Sequence, residues 1–185
     1  MSDLDISKIN HVEIKQDRVI KVFAHGKKSA IRFNREVTAL KRLAYIEGIP
    51  SLFSYSPTHR CIAIERIPGT PLSLADHIPD QFFAQLRVLI ENLLLCGVAR
   101  HSLPARDVIV QPDGSVGLVD FERCSFRHFV GDPMWWVASK VAHFNLLRLI
   151  DSYAPVQLTY DEQHMLYRQY KWQNRYRNIR QWLQR

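Results

Sequence analysis

The sequence predicts a small α+β domain of two lobes, with a β-rich lobe over residues 1–67 and a helical lobe over residues 71–185. Short apolar runs of strand length dominate the first third of the chain, and amphipathic segments of helical length dominate the rest. The turn-forming segment Pro68-Gly69-Thr70-Pro71 separates the two regions. An apolar content of 46% in 185 residues supports a folded core.

The elements of the first lobe follow from local patterns. Residues 12–24 predict two short strands around a polar turn, and residues 51–56 and 60–67 predict a second pair of strands. Between the pairs, residues 30–46 predict a helix because apolar side chains recur at helical spacing. Gly48 and Pro50 follow that helix and are expected to end it.

The second lobe contains three predicted helices. Residues 80–96 carry an apolar stripe at helical spacing. A second helix begins at Asp132-Pro133, where proline suits the first turn, and extends to about residue 151. Thr159 and Glu162 form a capping-box pattern for the final helix. We expect Trp135 and Trp136 to pack in the core of the helical lobe, with stacking on a cofactor or sugar as the alternative.

A hairpin is predicted where Asp113-Gly114 separates two apolar runs. A turn centred on this pair places Asp107 directly opposite Asp120, and opposed Cβ atoms lie roughly 4.5–5.5 Å apart. Two carboxylates at this distance need a positive group between them. A divalent metal prefers oxygen ligands, so we predict that Asp107 and Asp120 bind a metal ion.

Residues 97–122 resemble the catalytic loop and metal-binding strand of the protein-kinase-like fold, in which H-R-D-L-x-x-x-N precedes D-F-G. Aligned without gaps, Arg100 takes the place of the family's histidine and His101 that of its arginine. Ser102 takes the place of the catalytic aspartate. Further along, Asp107 takes the place of the metal-binding asparagine, and Asp120 begins the segment that matches D-F-G.

The preceding residues resemble the same family in order. Lys21, in an apolar strand pattern, resembles the family's nucleotide-binding lysine, and Glu36 in the next helix resembles its ion-pair partner. A lone charge in such a strand needs a partner, which also favours this pair. Glu65 and Ile67 lie where the family's hinge contacts adenine. The chain resembles the compact atypical kinases, of the RIO type and the bacterial lipopolysaccharide-core type, and their shortened second lobe implies a reduced C-terminal lobe here.

The resemblance implies an atypical ATP-dependent phosphotransferase that binds ATP and Mg²⁺ between its lobes, with an unknown phosphate acceptor. Ser102 cannot accept a proton as a carboxylate does, so positioning of the nucleophile would fall to His101 or to Ser102 with a water. His101 has a structural alternative, packing against the Asp120-Phe121 strand. No glycine precedes Lys21, so the glycine-rich phosphate loop is missing. The alternative function is a pseudokinase, a binding or scaffold module that keeps the fold, with or without nucleotide.

The charge pattern suggests an anionic partner, since the net charge is +7. Residues 168–185 contain six basic residues and no acidic one, interleaved with Trp and Tyr. Two interpretations stay open: a packed terminal helix with a solvated basic face, or a surface for an anionic membrane or nucleic acid. The second makes a polyanion-binding protein the third candidate function.

The sequence also bears on location. Three scattered cysteines do not form a disulfide framework or a zinc motif, which suggests a reducing compartment. The first residues do not combine a basic region with an apolar stretch, so no signal peptide is expected. We therefore expect a cytoplasmic protein, and the basic C-terminal residues leave open a peripheral attachment to the inner face of a membrane.

Overall fold

The computed structural model describes the backbone of residues 11–183 and the side chains of residues 11–171. Its first half contains β1 (His11–Ile14), β2 (Arg18–Val22), α1 (Lys27–Arg42), β3 (Leu52–Ser56) and β4 (Cys61–Glu65). Its second half contains β5 (Thr70–Pro71), α2 (Phe82–Leu95), β6 (Val98–Arg100), β7 (Val108–Val110), β8 (Val116–Leu118), β9 (Cys124–Phe126), α3 (Pro133–Tyr153) and α4 (Tyr160–Leu183).

The first half is an antiparallel sheet in the order β1-β2-β4-β3, covered by α1. The buried α1 residues Phe33, Val37 and Leu40 belong to the same core as Ile62 and Ile64 of β4. The four strands predicted here are present. The helix begins and ends a few residues earlier than predicted. It ends at Arg42 because the chain then continues in single turns that lead to Gly48, whose φ is +78°.

The second half combines three helices with two small antiparallel sheets, β5-β7-β8 and β6-β9. The predicted stripe of α2 is buried. Asp132 caps α3 by accepting hydrogen bonds from the backbone N–H of Met134 and Trp135. The capping box of α4 is also present: Thr159 N–H donates to Glu162 Oε2 at 2.9 Å, and Glu162 N–H donates to Thr159 Oγ1 at 3.3 Å. The lobe boundary at Pro68-Gly69 stays a prediction.

The register of the β7–β8 hairpin differs from the prediction by one residue. Val108 pairs with Leu118, so Asp107 lies opposite Val119, and Val119 N–H donates to Asp107 O. The loop has three residues rather than two: Gly114 N–H donates to Gln111 O, and Gly114 has a φ of +83°. This is the turn followed by a left-handed residue that is common in three-residue hairpins. The prediction that Asp107 directly faces Asp120 was therefore wrong.

The expected burial of both tryptophans was also wrong for Trp136, which is 65% exposed, while Trp135 is partly buried. The buried residues of α3 all lie from Ala142 onward. Helical periodicity predicted α3 correctly, but it carries no information on which turns other elements cover. Within residues 11–183, no helix is long and apolar enough to span a membrane.

Close backbone contacts join the two halves of the chain at Gly48. Leu118 N–H donates to Gly48 O at 2.8 Å, and a Cβ atom at Gly48 would lie 2.2 Å from the backbone oxygen of Val116. Only glycine permits this approach of two backbones. The contact holds the loop after α1 against the hairpin that leads to Asp120.

We therefore expect Gly48→Ala to destabilise the protein more than Gly131→Ala. Both glycines have φ near +80°, and alanine at such a position costs about 1–2 kcal/mol in backbone strain. At Gly131 an added Cβ would meet no atom within 4 Å, whereas at Gly48 the clash adds about 1–3 kcal/mol. Urea unfolding of the two variants measures the difference, and equal losses would contradict this role of Gly48.

Candidate functional site

Three charged side chains from distant parts of the sequence meet between the sheet and the hairpin. Lys21 Nζ lies 2.6 Å from Glu36 Oε1 and 3.9 Å from Asp120 Oδ1. Lys21 comes from β2, Glu36 from α1, and Asp120 follows β8. The Lys21–Glu36 ion pair expected from the sequence is thus present, and Asp120 joins it.

The backbone around each residue explains this convergence. Lys21 pairs with Val12 and Ile62 in the sheet, so its position in the sheet is set on both sides. Asp120 has a φ of +67°, in the left-handed region that non-glycine residues rarely adopt. Such conformations cluster at functional sites, where the surrounding structure maintains them. The neighbouring Phe121 is fully buried and anchors the segment.

Glu36 is the most deeply buried charged residue of the site, at 1% exposure. Burial raises its pKa, while the charge of Lys21 and their hydrogen bond lower it. Its Oε2 atom is buried and has no hydrogen-bond partner among the described residues. A buried acceptor without a donor costs about 1–3 kcal/mol, so a ligand that brings a donor or a cation would suit this position.

A cavity of about 290 Å³ lies at this cluster. It is lined by His11, Val12, Lys21, Val22, Phe23, Glu36, Asp120 and Glu122. Glu122 Oε1 lies 3.5 Å from Arg32 Nη1, and the positive charge of Arg32 offsets part of the negative charge of Glu122. The two carboxylates of Glu36 and Asp120 still outnumber the single ammonium group of Lys21. The lining therefore favours a cation, or an anion that binds together with a cation.

Asp107 has a positive partner that the sequence reasoning missed. Arg100 Nη2 lies 2.7 Å from Asp107 Oδ2, and Arg100 Nη1 donates to Val119 O at 2.8 Å. Arg100 is 4% exposed, and its guanidinium lies 5.2 Å from the centre of the Phe121 ring. An arginine buried between β6 and the hairpin therefore supplies positive charge where a metal was expected.

This ion pair limits what Asp107 can bind. Burial raises the pKa of Asp107, Arg100 lowers it, and the charge of Asp120 raises it. One carboxylate oxygen is occupied by Arg100, and the other lies 3.7 Å from Arg106 Nε. Asp120 is the more accessible of the two predicted metal ligands, at 38% side-chain exposure. In the described part of the chain, no three His, Cys, Asp or Glu residues group to form a protein-only metal site.

The other predicted site residues do not line this cavity. His101 Nε2 lies 2.8 Å from Ser125 Oγ, in a separate cavity beside α3, and burial with nearby Arg35 and Arg123 lowers its pKa. Ser102 is exposed on the loop after β6. The Glu65 carboxylate accepts hydrogen bonds from Ser51 N–H and Oγ.

Ile67 lies against the hairpin, since a Cβ atom at Gly117 would come within 2.5 Å of its Cγ2. The structure thus brings together Lys21, Glu36 and Asp120, and the expected catalytic and hinge residues do not line the cavity around them. A signal for Arg100 existed in the sequence, because a charge within the apolar pattern of β6 needs a partner. The pattern predicts that Arg100 has a partner, but it does not indicate that the partner is Asp107.

Comparison with known proteins identifies the fold. No protein-family model and no curated protein sequence matches the chain. WbdD in complex with the kinase inhibitor LY294002 matches with a TM-score of 0.60 and 15% identity, over 88% of this chain and 39% of that one. The bifunctional kinase-methyltransferase WbdD matches with a TM-score of 0.55 and 16% identity, over 86% and 47%.

A eukaryotic structure matches as well. The Rio2 kinase–ADP/Mg²⁺–phosphoaspartate complex from Chaetomium thermophilum has a TM-score of 0.55 and 12% identity, over 77% of this chain and 55% of that one. The chain covers less than two thirds of each of these three proteins. The predicted fold is confirmed: it is a small protein-kinase-like α+β fold similar to RIO-type and atypical bacterial kinases.

Proposed function

We propose that this kinase-like protein binds a nucleoside triphosphate together with a divalent cation in the cavity around Lys21. The observation that carries the proposal is the cluster of Lys21, Glu36 and Asp120. Glu36 orients the Lys21 ammonium, which is a compact donor suited to phosphate oxygens. The protein-kinase-like fold adds support, because in protein kinases such a lysine and glutamate must pair for the nucleotide to be aligned.

The cation would enter with the nucleotide. Mg²⁺ commonly takes one or two carboxylates and completes its shell with phosphate oxygens and water, so a protein-only cage is unnecessary. Asp120 would be the main protein ligand, and Asp107 could contribute only the oxygen that Arg100 leaves free. When bound, Mg²⁺ would neutralise phosphate charge, which the acidic lining of the cavity otherwise repels.

The adenine would lie beside the backbone of residues 65–67. Because the Glu65 carboxylate holds Ser51, we expect Glu65 and Ile67 to act through main-chain groups and apolar contact. The residues proposed to contact the nucleotide and the cation come from the first half of the chain and from the hairpin with its flanking residues.

A binding module of the pseudokinase type fits the loop after β6 better than a fast kinase. Ser102 has no carboxylate to accept the acceptor's proton, and the His101 ring is engaged with Ser125. Arg100 also occupies one carboxylate oxygen of Asp107, which takes the place of the family's metal-binding asparagine. Slow phosphotransfer to an unknown acceptor is the second candidate, favoured by the complete Lys21, Glu36 and Asp120 cluster.

A polyanion-binding role of residues 168–185 stays a prediction, as does the cytoplasmic location. Most of these side chains, including those of Arg175, Arg177 and Arg180, lie outside the part of the chain that the structure describes.

Thermal-shift titration with ATP, with and without Mg²⁺, tests the proposal. Ligand at 100 times its Kd stabilises a protein by about 2.7 kcal/mol, so wild-type protein should melt at a higher temperature with Mg²⁺ and ATP together. Asp120→Asn should remove the Mg²⁺-dependent part of the shift. Lys21→Met should weaken binding of the nucleotide with or without the cation.

Matched controls separate binding from general charge effects. Asp76→Asn and Lys15→Met change an exposed aspartate and an exposed lysine outside the cavity and should leave the shift unchanged. A shift in Asp120→Asn equal to that of the wild type would remove the proposed ligand. Absence of any shift in the wild type would reject nucleotide binding itself.

A further inference from the structure

The start of α3 and the loop before it form an exposed apolar surface. We name this the α3 apolar surface, and its members are Phe129 (61% exposed), Val130 (97%), Met134 (73%), Trp136 (65%), Val137 (48%) and Val141 (39%). They lie within 13 consecutive residues, as counted from Phe129 to Val141. Large exposed apolar patches on a folded domain mark interaction sites.

Basic residues flank this surface along the chain. From Arg123 to Arg148, both included, the chain has four Lys or Arg residues and one acidic residue, Asp132. Glu122 precedes this segment and lies 3.7 Å from Arg123. Asp132 is buried, and its carboxylate caps α3, so it does not present negative charge to a partner.

Two of these cations lie beside tryptophan rings. Arg127 Cζ is 5.9 Å from the Trp135 ring centre, and Lys140 Nζ is 5.7 Å from that of Trp136. Tryptophan and a long basic side chain both have an apolar body and a polar end, so both suit the boundary between acyl chains and headgroups. Val130 is 97% exposed and Phe129 is 61% exposed, and both would enter the acyl region.

We propose that the α3 apolar surface binds an anionic lipid membrane. The apolar side chains would insert between lipids while Arg127 and Lys140 contact acidic headgroups, and each contribution strengthens the other. A two-fold dimer through the same surface is less favourable, because it would place Arg127 and Lys140 of both copies close together. A membrane surface offers the opposite charge over the whole patch.

This surface is distinct from the Lys21 cavity, so the inference does not depend on nucleotide binding. Met134, Val137 and Val141 also line the cavity that contains His101 and Ser125. The membrane would therefore lie next to the cavity that contains His101 and Ser125. Binding here is peripheral, and it requires no membrane-spanning helix.

Vesicle sedimentation of the full chain tests the proposal. Wild-type protein should bind vesicles of phosphatidylcholine and phosphatidylglycerol in equal parts, bind pure phosphatidylcholine less, and lose affinity as salt is raised. Phe129→Ser with Val130→Ser should lower the partition constant at least about tenfold, since each residue loses most of its burial in lipid. Lys140→Gln should reduce binding to the anionic vesicles alone.

Control variants make the outcome specific. Leu74→Ser with Val156→Ser changes two apolar residues that are 71% and 90% exposed but lie outside the surface, and it should bind as the wild type. Circular dichroism checks that each variant is folded. Wild-type levels of binding by the Phe129→Ser/Val130→Ser variant would overturn the proposal.

Two further results would also overturn it. In the first, binding would be lost only on charge reversal at Arg175, Arg177 and Arg180, which would assign the membrane contact to the C-terminal residues. In the second, sedimentation velocity without lipid would show a wild-type dimer that Phe129→Ser/Val130→Ser dissociates, which would make the surface an interface between two copies.

Discussion

Arg100→Met is expected to lower the free energy of unfolding by about 3–5 kcal/mol, because it leaves the buried Asp107 carboxylate without its partner. It also removes the hydrogen bond from Arg100 to Val119 O. Urea unfolding at neutral pH measures the loss. The double variant Arg100→Met/Asp107→Leu should recover most of it, since an apolar pair leaves no buried charge uncompensated.

The loss of unfolding free energy in Arg100→Met is expected to grow as the pH rises. Burial and Asp120 already raise the pKa of Asp107, and Arg100 is the main group that lowers it. Without Arg100 the folded-state pKa rises further above the unfolded value, so the folded variant binds the proton more tightly than the unfolded chain. The loss should thus be smallest at acid pH, below the ordinary pKa of an aspartate, and grow as the pH rises toward neutrality.

The exposed pair of Arg18 and Asp17 provides the matched control. Its N–O distance is also 2.7 Å, but both side chains are in solvent, so Arg18→Met should change stability little. A comparably small loss for Arg100→Met, or one independent of pH, would show that the Asp107 carboxylate does not depend on Arg100.

Ser102→Asp is expected to raise the rate of phosphate transfer from ATP by about 10²–10⁴-fold if the remaining geometry is competent. The substitution restores the carboxylate that kinases use to receive the proton of the acceptor hydroxyl. Ser102 is exposed, so the additional volume should be accommodated without loss of stability. The measurement is radiolabelled phosphate transfer or ATP hydrolysis.

Two further variants show whether a change in rate comes from the carboxylate at position 102. Ser102→Asn has nearly the same shape without the charge and should remain as slow as the wild type. His101→Ala should have little effect, because the ring contacts Ser125 outside the Lys21 cavity. Robust wild-type turnover that survives His101→Ala would contradict the alignment of this loop, whereas ATP binding without turnover in all variants would support the pseudokinase function.

Local chemistry in the sequence determined the elements of the fold. Strand and helix periodicity located the elements of the first sheet, α2 and α3, and the Thr159–Glu162 capping box located the start of α4, because these signals act over a few residues. The order of kinase-like segments also predicted that Lys21 and Glu36 would meet. Lys21 had a strong physical requirement, because a charge in an apolar strand needs an opposite charge nearby.

Only the tertiary structure decided how the hairpin and its neighbours interact. A three-residue loop moved Asp107 out of register with Asp120, and a backbone turn at Asp120 then directed its carboxylate toward Lys21. Arg100 became an ion-pair partner of Asp107. The first turns of α3 stayed uncovered, which left Trp136 exposed. Each outcome depends on contacts between residues that are far apart in the chain. A local pattern indicates that a charge or an apolar face needs a partner, but it does not specify which residue that partner is.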